Sequence, residues 1–265
     1  MQRSKLFLFL GIILTAVCFQ SALAHTLEEK FKKQIEFSPG GFISLENTNG
    51  RIEVEGWDKD MVMIEAGKQV KASSRRKAEH YMDQVKIEIN RVGDELIITT
   101  RLPKSHGGGL LDWIFGDHVS TSVQYKLFVP RKSDLKLETT NGAVYLTDVS
   151  GRIRLETTNG KIRAGQISGR VNAETTNGSV KVEFDEVDPE SDMEFHTTNG
   201  SIKVYLPADV RCTVRAKTTN GSIETDFPLE VRGKYNSKRL RGDINGGGPR
   251  LDLRTTNGSI KIYEK

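Results

Sequence analysis

The tripeptide Thr-Asn-Gly occurs seven times in this chain of 265 residues, and this recurrence limits the fold more than any other feature. Successive copies are 92, 18, 18, 22, 21 and 37 residues apart. Self-similarity at a period near 20 residues is typical of repeat architectures. Gly adopts positive φ without strain and Asn tolerates it better than most residues, so both suit a tight corner. We therefore assign structural turns to Asn49, Gly50, Asn141, Gly142, Asn159, Gly160, Asn177, Gly178, Asn199, Gly200, Asn220, Gly221, Asn257 and Gly258.

The residues on both sides of each corner alternate strictly between apolar and polar. Successive side chains of a strand point to opposite faces, so this alternation predicts strands with one buried face. The predicted inward residues are Leu45, Leu137, Leu155, Ala173, Phe195, Ala216 and Leu253 before the corners, and Ile52, Val144, Ile162, Val180, Ile202, Ile223 and Ile260 after them.

Two folds satisfy this alternation, which cannot separate them. Asn-Gly is a strong hairpin signal, so the copies could form an antiparallel meander, with Glu156 beside Arg163 and Glu174 beside Lys181. Alternatively the copies stack as rungs of a solenoid, about 4.8 Å apart, which buries its own interior and explains the near-identical corners. We predict an all-β fold: a single β-solenoid, β-helix-like, of 18–22-residue Thr-Asn-Gly repeats with one short helix near the N-terminus.

The first 24 residues have the features of a secretory signal peptide. Arg3 and Lys5 precede an uncharged apolar stretch, and an Ala-Leu-Ala sequence ends at Ala24. Cleavage there would lower the formal net charge from +4 to +2, and lipidation of Cys18 is disfavoured because a valine precedes it. The expected organisation is a cleaved signal peptide (1–24) and one domain (25–265), with a non-repeat part (25–130) and repeats (131–265).

The non-repeat part contains the predicted helix and an insert. Ser73 or Ser74 caps a helix that runs to Tyr81 or Met82. Residues 104–120 combine a run of three glycines with an apolar tip. Such a tip either folds back to cap an open end of the core or contacts a partner or a membrane surface. The candidate partner-contact residues are Leu111, Trp113, Ile114 and Phe115.

The sequence contains no motif for metal binding, cofactor binding or covalent catalysis. Its five histidines are scattered, and neither His-Glu-x-x-His nor Cys-x-x-Cys occurs. The three glycines after His106 resemble the oxyanion-hole glycines of lipases, but the chain has no Gly-x-Ser-x-Gly elbow, which a lipase also needs. The acidic run from Glu183 to Glu194 lacks the ligand order and glycine of a calcium loop. Cys212 lies in an alternating segment and is expected to be buried. We therefore predict no catalytic, metal or cofactor-binding residues and no cofactor.

Two outward sets of charged residues bear on function. Glu138, Glu156 and Glu174 line up if the rungs stack, as the acids of a carbohydrate-active β-helix do, although Arg154, Arg163 and Lys181 are expected to hold them in surface pairs. A second set shares one outward position after the corner and forms either a solvated strand face or a basic stripe able to meet an anionic polymer, interrupted by Glu224. Its members are Arg163, Lys181, Lys203 and Lys261.

Three passages together resemble a known bacterial family. They are the Gly-rich stretch 242–253 with the following Thr256-Asn257-Gly258-Ser259-Ile260-Lys261-Ile262, the strand Tyr125-Lys126-Leu127-Phe128-Val129-Pro130, and the Thr-Asn-Gly copies. Over roughly residues 40–265 the chain resembles the "putative adhesin" β-repeat family, long catalogued as a domain of unknown function. The resemblance implies an exported, right-handed β-solenoid-like domain without known catalytic residues, and no functional residue carries over. Residues 104–115 are outside the pattern.

We expect an exported, non-enzymatic, adhesin-like binding or scaffold protein, located in the periplasm, the cell envelope or the extracellular space. The alternatives are a carbohydrate-active hydrolase or lyase on a β-helix scaffold, and a scaffold that self-assembles because an uncapped solenoid end exposes a sheet edge. The partners expected are an envelope polysaccharide, a membrane surface or another envelope protein, with self-association also open and no nucleic acid.

Overall fold

A computed structural model describes residues 25–103, 119–231 and 237–265. This part of the chain contains twenty strands and one helix, which confirms the all-β prediction with a single short helix. The elements are β1 (His25–Glu36), β2 (Phe42–Asn49), β3 (Ile52–Trp57), β4 (Met61–Ala72), α1 (Arg75–Met82), β5 (Lys86–Val92), β6 (Glu95–Arg101), β7 (Ser120–Pro130), β8 (Asp134–Asn141), β9 (Val144–Thr147), β10 (Ser150–Asn159), β11 (Ile162–Asn177), β12 (Val180–Val187), β13 (Met193–Asn199), β14 (Ile202–Leu206), β15 (Cys212–Asn220), β16 (Ile223–Thr225), β17 (Glu230–Val231), β18 (Arg239–Ile244), β19 (Arg250–Asn257) and β20 (Ile260–Glu264).

The strands form two layers. The front layer contains the strands that lead into the corners together with β5, β6, β17 and β18, in the order β5, β6, β2, β8, β10, β11, β13, β19, β15, β18 and β17. The back layer contains the strands that leave the corners together with β1, β4 and β7, in the order β1, β4, β7, β3, β9, β11, β12, β14, β20 and β16. The strand β11 belongs to both layers, because its residues 162–165 pair with β9 of the back layer and its residues 172–177 pair with β13 of the front layer.

The core lies between these layers. Each residue predicted to point inward is buried, and all of them belong to one hydrophobic cluster. Phe184 of the back layer contacts Phe195 of the front layer edge to face, with ring centroids 6.3 Å apart. Period-two alternation therefore identified the buried face correctly in every copy.

The repeated corners stack directly on one another. Asn159 lies opposite Asn141 on one side and opposite Asn177 on the other, and all three strands run parallel. The two strands that flank a corner belong to different layers, so they are not an antiparallel hairpin. The meander alternative, with Glu156 beside Arg163, is therefore wrong.

The stacking order departs from the chain order at one place. The rung formed by β19 and β20, which carries Asn257, lies between the rungs of Asn199 and Asn220. The interval of 37 residues before Asn257 includes β17 and β18, which run antiparallel and cover β15 at the end of the front layer. At the other end of the stack, the Asn49 corner pairs with Asn141 across 92 residues.

The first elements are a long strand and the predicted helix. Ser74 caps α1 by accepting a hydrogen bond from the Lys77 backbone N–H at 3.4 Å, and the helix ends at Met82 as expected. β1, which was not predicted from the sequence, pairs antiparallel with β4 at the edge of the back layer. Within the described ranges, no helix has the length and apolar character needed to cross a membrane.

Candidate functional site

The turn residues form a hydrogen-bonded ladder along one side of the stack. Each Asn side chain donates from Nδ2 to Oδ1 of the Asn in the next rung, at 2.7–2.8 Å, from Asn220 through Asn257 to Asn49. At the end of the ladder, Asn49 donates to the Thr121 carbonyl at 3.1 Å. These amides satisfy one another, so the motif holds rungs together.

A buried threonine adds a second ladder beside the first. It stands two residues before the Asn and donates its hydroxyl to the glycine carbonyl of the adjacent rung, as Thr157 does to Gly142 at 2.9 Å. In the first copy Asn47 takes this position and donates to the Val123 carbonyl at 2.9 Å.

The corner glycines are required chiefly by the close approach of neighbouring rungs. Only Gly50 and Gly258 have positive φ among the seven, and no corner Asn does. A Cβ atom on Gly160 would lie 1.9 Å from the carbonyl oxygen of Gly142, and the other copies are as close. The expectation that positive φ selects glycine is therefore wrong at five of the seven corners.

The back layer presents four cations on four neighbouring strands, which we call the basic column: Arg163, Lys181, Lys203 and Lys261. Each lies directly opposite the next, on β11, β12, β14 and β20. Because the Asn257 rung is placed before the Asn220 rung, Lys261 follows Lys203 without a break. Glu224 stands beyond Lys261, at the end of the column, so the expectation that it interrupts the stripe is wrong.

Two members of the basic column have partners. Lys261 Nζ is 2.8 Å from Glu224 Oε2, a contact that raises the pKa of the lysine and lowers the pKa of the carboxyl. Lys181 Nζ lies 4.7 Å from the centroid of the Tyr205 ring, within cation–π range. Arg163 and Lys203 are exposed and have no acidic partner in the part of the chain that the structure describes.

The spacing of these cations has an energetic cost. Neighbouring strands are about 4.8 Å apart, and two unit charges at that distance repel by about 0.9 kcal/mol in water. Like charges directly opposite one another on paired strands are destabilising for this reason. A bound chain of anions would remove that repulsion, so the column is suited to a linear polyanion.

Aromatic and hydroxyl groups flank the basic column. Tyr205 and Tyr263 stack with ring centroids 4.8 Å apart and an interplanar angle of 24°. This pair was not predicted, although each tyrosine stands six residues after a corner Asn and the shared spacing could have indicated it. On the other side of the column are the serines that follow the corners, Ser179, Ser201, Ser259 and Ser222.

Three glutamates of the front layer line up across neighbouring strands, as predicted for stacked rungs. Glu138, Glu156 and Glu174 are opposite one another on β8, β10 and β11. Lys136 Nζ is 3.2 Å from Glu138, Arg154 contacts Glu156, and His196 Nδ1 is 3.4 Å from Glu174. The expected pairing with Arg163 and Lys181 is wrong, because those residues are on the back layer. Across residues 25–103, 119–231 and 237–265, no group of three or more His, Cys, Asp or Glu side chains could hold a metal ion.

An open groove of about 560 Å³ lies across β1, β4 and β7. Four of its charged side chains form ion pairs: Lys32 with Glu65 at 2.8 Å and Lys68 with Glu29 at 2.8 Å. This mutual neutralisation makes the groove a weaker candidate for ligand binding than the basic column.

The insert residues Leu111, Trp113, Ile114 and Phe115 lie outside the described residues. Cys212 is 1% exposed, and desolvation raises the pKa of its thiol to about 12, so it is a packed core residue.

Comparisons with known proteins bear on the fold. The chain is similar to a crystal structure from Clostridium sporogenes described as a "putative cell adhesion protein", with 11% identity, a TM-score of 0.50, and coverage of 89% of this chain and 100% of that one. A "putative adhesin" from Bacteroides fragilis has 10% identity, a TM-score of 0.35, and coverage of 89% and 97%. At such identities the first likeness shows the fold alone. No curated protein matches the sequence significantly.

A family profile gives the stronger result. The profile described as Toastrack DUF4097 matches residues 43–263, which is most of the chain. This match confirms the resemblance to an adhesin-like β-repeat family of unknown function. The chain belongs to the Toastrack DUF4097 family.

Proposed function

We propose that this protein is an exported, non-enzymatic, adhesin-like binding protein of the cell envelope, whose basic column binds an acidic polysaccharide. In this proposal residues 1–24 are a cleaved signal peptide. Residues 25–265 are one β-solenoid domain in which the Thr-Asn-Gly repeats form the scaffold. The apolar tip of the insert is a second contact for a partner or a membrane surface.

The observation that carries the proposal is the unbroken alignment of four cations on adjacent strands. A linear polymer that repeats one anionic group can meet all four at once, whereas a small anion can meet only one or two. Arg163 and Lys203 are exposed and lack acidic partners among the described residues, so they are available to carboxylates.

The flanking residues favour a carbohydrate over other polyanions. The stacked rings of Tyr205 and Tyr263 add aromatic surface beside the cations, and the serine hydroxyls can donate to or accept from sugar hydroxyls. A ligand with alternating apolar ring faces, hydroxyls and carboxylates matches this combination.

Binding to polygalacturonate tests the proposal, with neutral dextran as the comparison polymer. The variant Arg163→Gln/Lys203→Gln removes two exposed cations of the column. Each cation near an anionic surface contributes about 1 kcal/mol, so binding should weaken about 30-fold. The matched control Lys33→Gln/Arg76→Gln has the same charge loss at exposed residues far from the column and should bind like the wild type.

Binding should also weaken as salt concentration rises, because released counterions drive it. Equal affinity of the wild type and the column variant, or equal affinity for dextran, would refute the proposal. A product assay on the same polymer separates binding from hydrolysis or cleavage. Turnover that disappears in Glu156→Gln would support a carbohydrate-active enzyme instead.

A further inference from the structure

A second group of cations lies on the opposite layer, at the end of the stack. It consists of Arg215 and Lys217 on β15 and Arg239 and Arg241 on β18, and we call it the terminal cluster. Arg215 is directly opposite Arg241, and Lys217 is directly opposite Arg239. All four side chains are exposed.

Acidic neighbours do not neutralise this cluster. Asp252 lies opposite Arg215, but Arg254 holds both of its carboxylate oxygens, at 2.7 and 2.8 Å. Asp243 is 2% exposed and accepts a hydrogen bond from the Thr213 hydroxyl at 2.9 Å. In the described ranges no ion pair involves any of the four cluster residues. Cross-strand pairs of like charge destabilise a sheet, so this cluster raises the energy of the ligand-free protein.

The arrangement of the terminal cluster differs from that of the basic column. The column is one cation wide and four strands long, which suits an extended polymer. The cluster is two strands wide and two residues long, so its four cations share one small area of the sheet face. Directly opposed residues of antiparallel strands have Cα atoms about 4.5–5.5 Å apart, within reach of a single tetrahedral anion.

Three of the four side chains are arginines. A guanidinium presents parallel N–H donors in a plane, which matches the oxygens of a phosphate group and gives bidentate pairs. A compact dianion also offsets more of the local repulsion than a single carboxylate does. We propose that the terminal cluster is a binding site for a phosphate group, carried by a soluble phosphate compound or by an anionic lipid headgroup. This site is on the other layer from the basic column and is independent of the proposed function.

Thermal unfolding with inorganic phosphate and with pyrophosphate tests the site. A ligand that binds the native state raises the melting temperature by mass action. Phosphate also stabilises proteins nonspecifically. The informative quantity is therefore the difference between variants in the rise of melting temperature that phosphate causes at equal ionic strength. The wild type and the control Lys33→Gln/Arg76→Gln should respond alike. Arg215→Gln/Arg241→Gln should bind phosphate at least about tenfold more weakly, since it loses two charge-assisted contacts.

A measurement without phosphate and one further variant complete the test. Arg215→Gln/Arg241→Gln should melt at or above the wild-type temperature without phosphate, because the substitution removes repulsion. Arg215→Lys/Arg241→Lys keeps the charge but not the planar donors, so its affinity should be intermediate. Equal phosphate responses in the wild type and the glutamine variant, or no response in the wild type beyond that of sodium chloride, would overturn the proposal.

Vesicles identify the source of the phosphate. The protein should be mixed with vesicles of phosphatidylcholine alone and of equal parts phosphatidylcholine and phosphatidylglycerol. Cluster-dependent binding to the anionic vesicles assigns the site to lipid headgroups, and a response to the soluble phosphates alone assigns it to a soluble compound. Arg163→Gln/Lys203→Gln should keep the phosphate response. Loss of the response in that variant and not in the cluster variant would move the site to the basic column.

Discussion

Gly160→Ala tests how tightly the corners lock one rung to the next. The added Cβ would lie 1.9 Å from the Gly142 carbonyl oxygen and 2.5 Å from its carbon, so one backbone must move by about 1 Å or more. That movement breaks the hydrogen bond from Thr157 to Gly142, 2.9 Å long, and the one from Asn159 to Asn141, 2.8 Å long. Two lost hydrogen bonds at about 1 kcal/mol each, with the residual strain, give a loss of about 3 kcal/mol.

The matched control is Gly165→Ala, in the same repeat. No atom lies within 4 Å of the Cβ that this substitution adds, and the φ of Gly165 is outside the left-handed region. Its stability should equal or exceed that of the wild type by up to about 0.5 kcal/mol. Urea unfolding followed by circular dichroism measures both, and Gly160→Ala should also melt about 6–12 °C lower. If the two variants agree within about 0.5 kcal/mol, the close-packing argument is wrong.

Three further predictions concern the ladder and two buried titratable groups. Asn159→Ala loses two ladder hydrogen bonds and Asn220→Ala loses one. Midpoints of denaturant unfolding should therefore show about twice the destabilisation for Asn159→Ala, and equal losses would contradict the ladder. The Cys212 pKa of about 12 predicts no reaction with iodoacetamide at pH 8 until urea unfolds the protein, and rapid native labelling would refute it. Burial raises the pKa of Tyr125 to about 12, so the phenol of the unfolded chain ionises first and the free energy of unfolding falls by about 2 kcal/mol between pH 10 and 12. Tyr125→Phe should lose less stability over this range, and equal alkaline losses would exclude Tyr125 as the cause.

The sequence predicted the parts of the fold that repeat locally. Period-two alternation around each corner placed Leu155 and Ile162 in the core, and both are fully buried. The register of the basic column followed from the same alignment, because equivalent positions of stacked rungs must meet. The cap at Ser74 was visible because helix capping depends on a few neighbouring residues.

Other features of the fold could not be predicted from local sequence patterns. The rungs are nearly identical in sequence, so nothing in the alternation decides which copy pairs with which, and the placement of Asn257 between Asn199 and Asn220 could not be derived. In β1, the apolar residues Leu27, Phe31 and Ile35 are four apart, a spacing that does not alternate, and tertiary pairing with β4 makes this segment a strand. The reason for the corner glycines also depends on the neighbouring rung, whose distance the sequence does not contain.

The inserted rung makes the end of the stack a single cooperative unit. The contact between Asn199 and Asn257 closes 58 residues, against 18 for Asn159 and Asn177, and the longer closure costs about 1 kcal/mol more in chain entropy. In a solenoid whose rungs follow chain order, the outermost rung can fray alone because each rung depends only on its neighbours. Here β15 and β16 of the Asn220 rung pair with β19 and β20, so the Asn220 rung can join the stack only when β19 and β20 are in place. Amide hydrogens of β15 and β19 should therefore exchange together, as one cooperative unit.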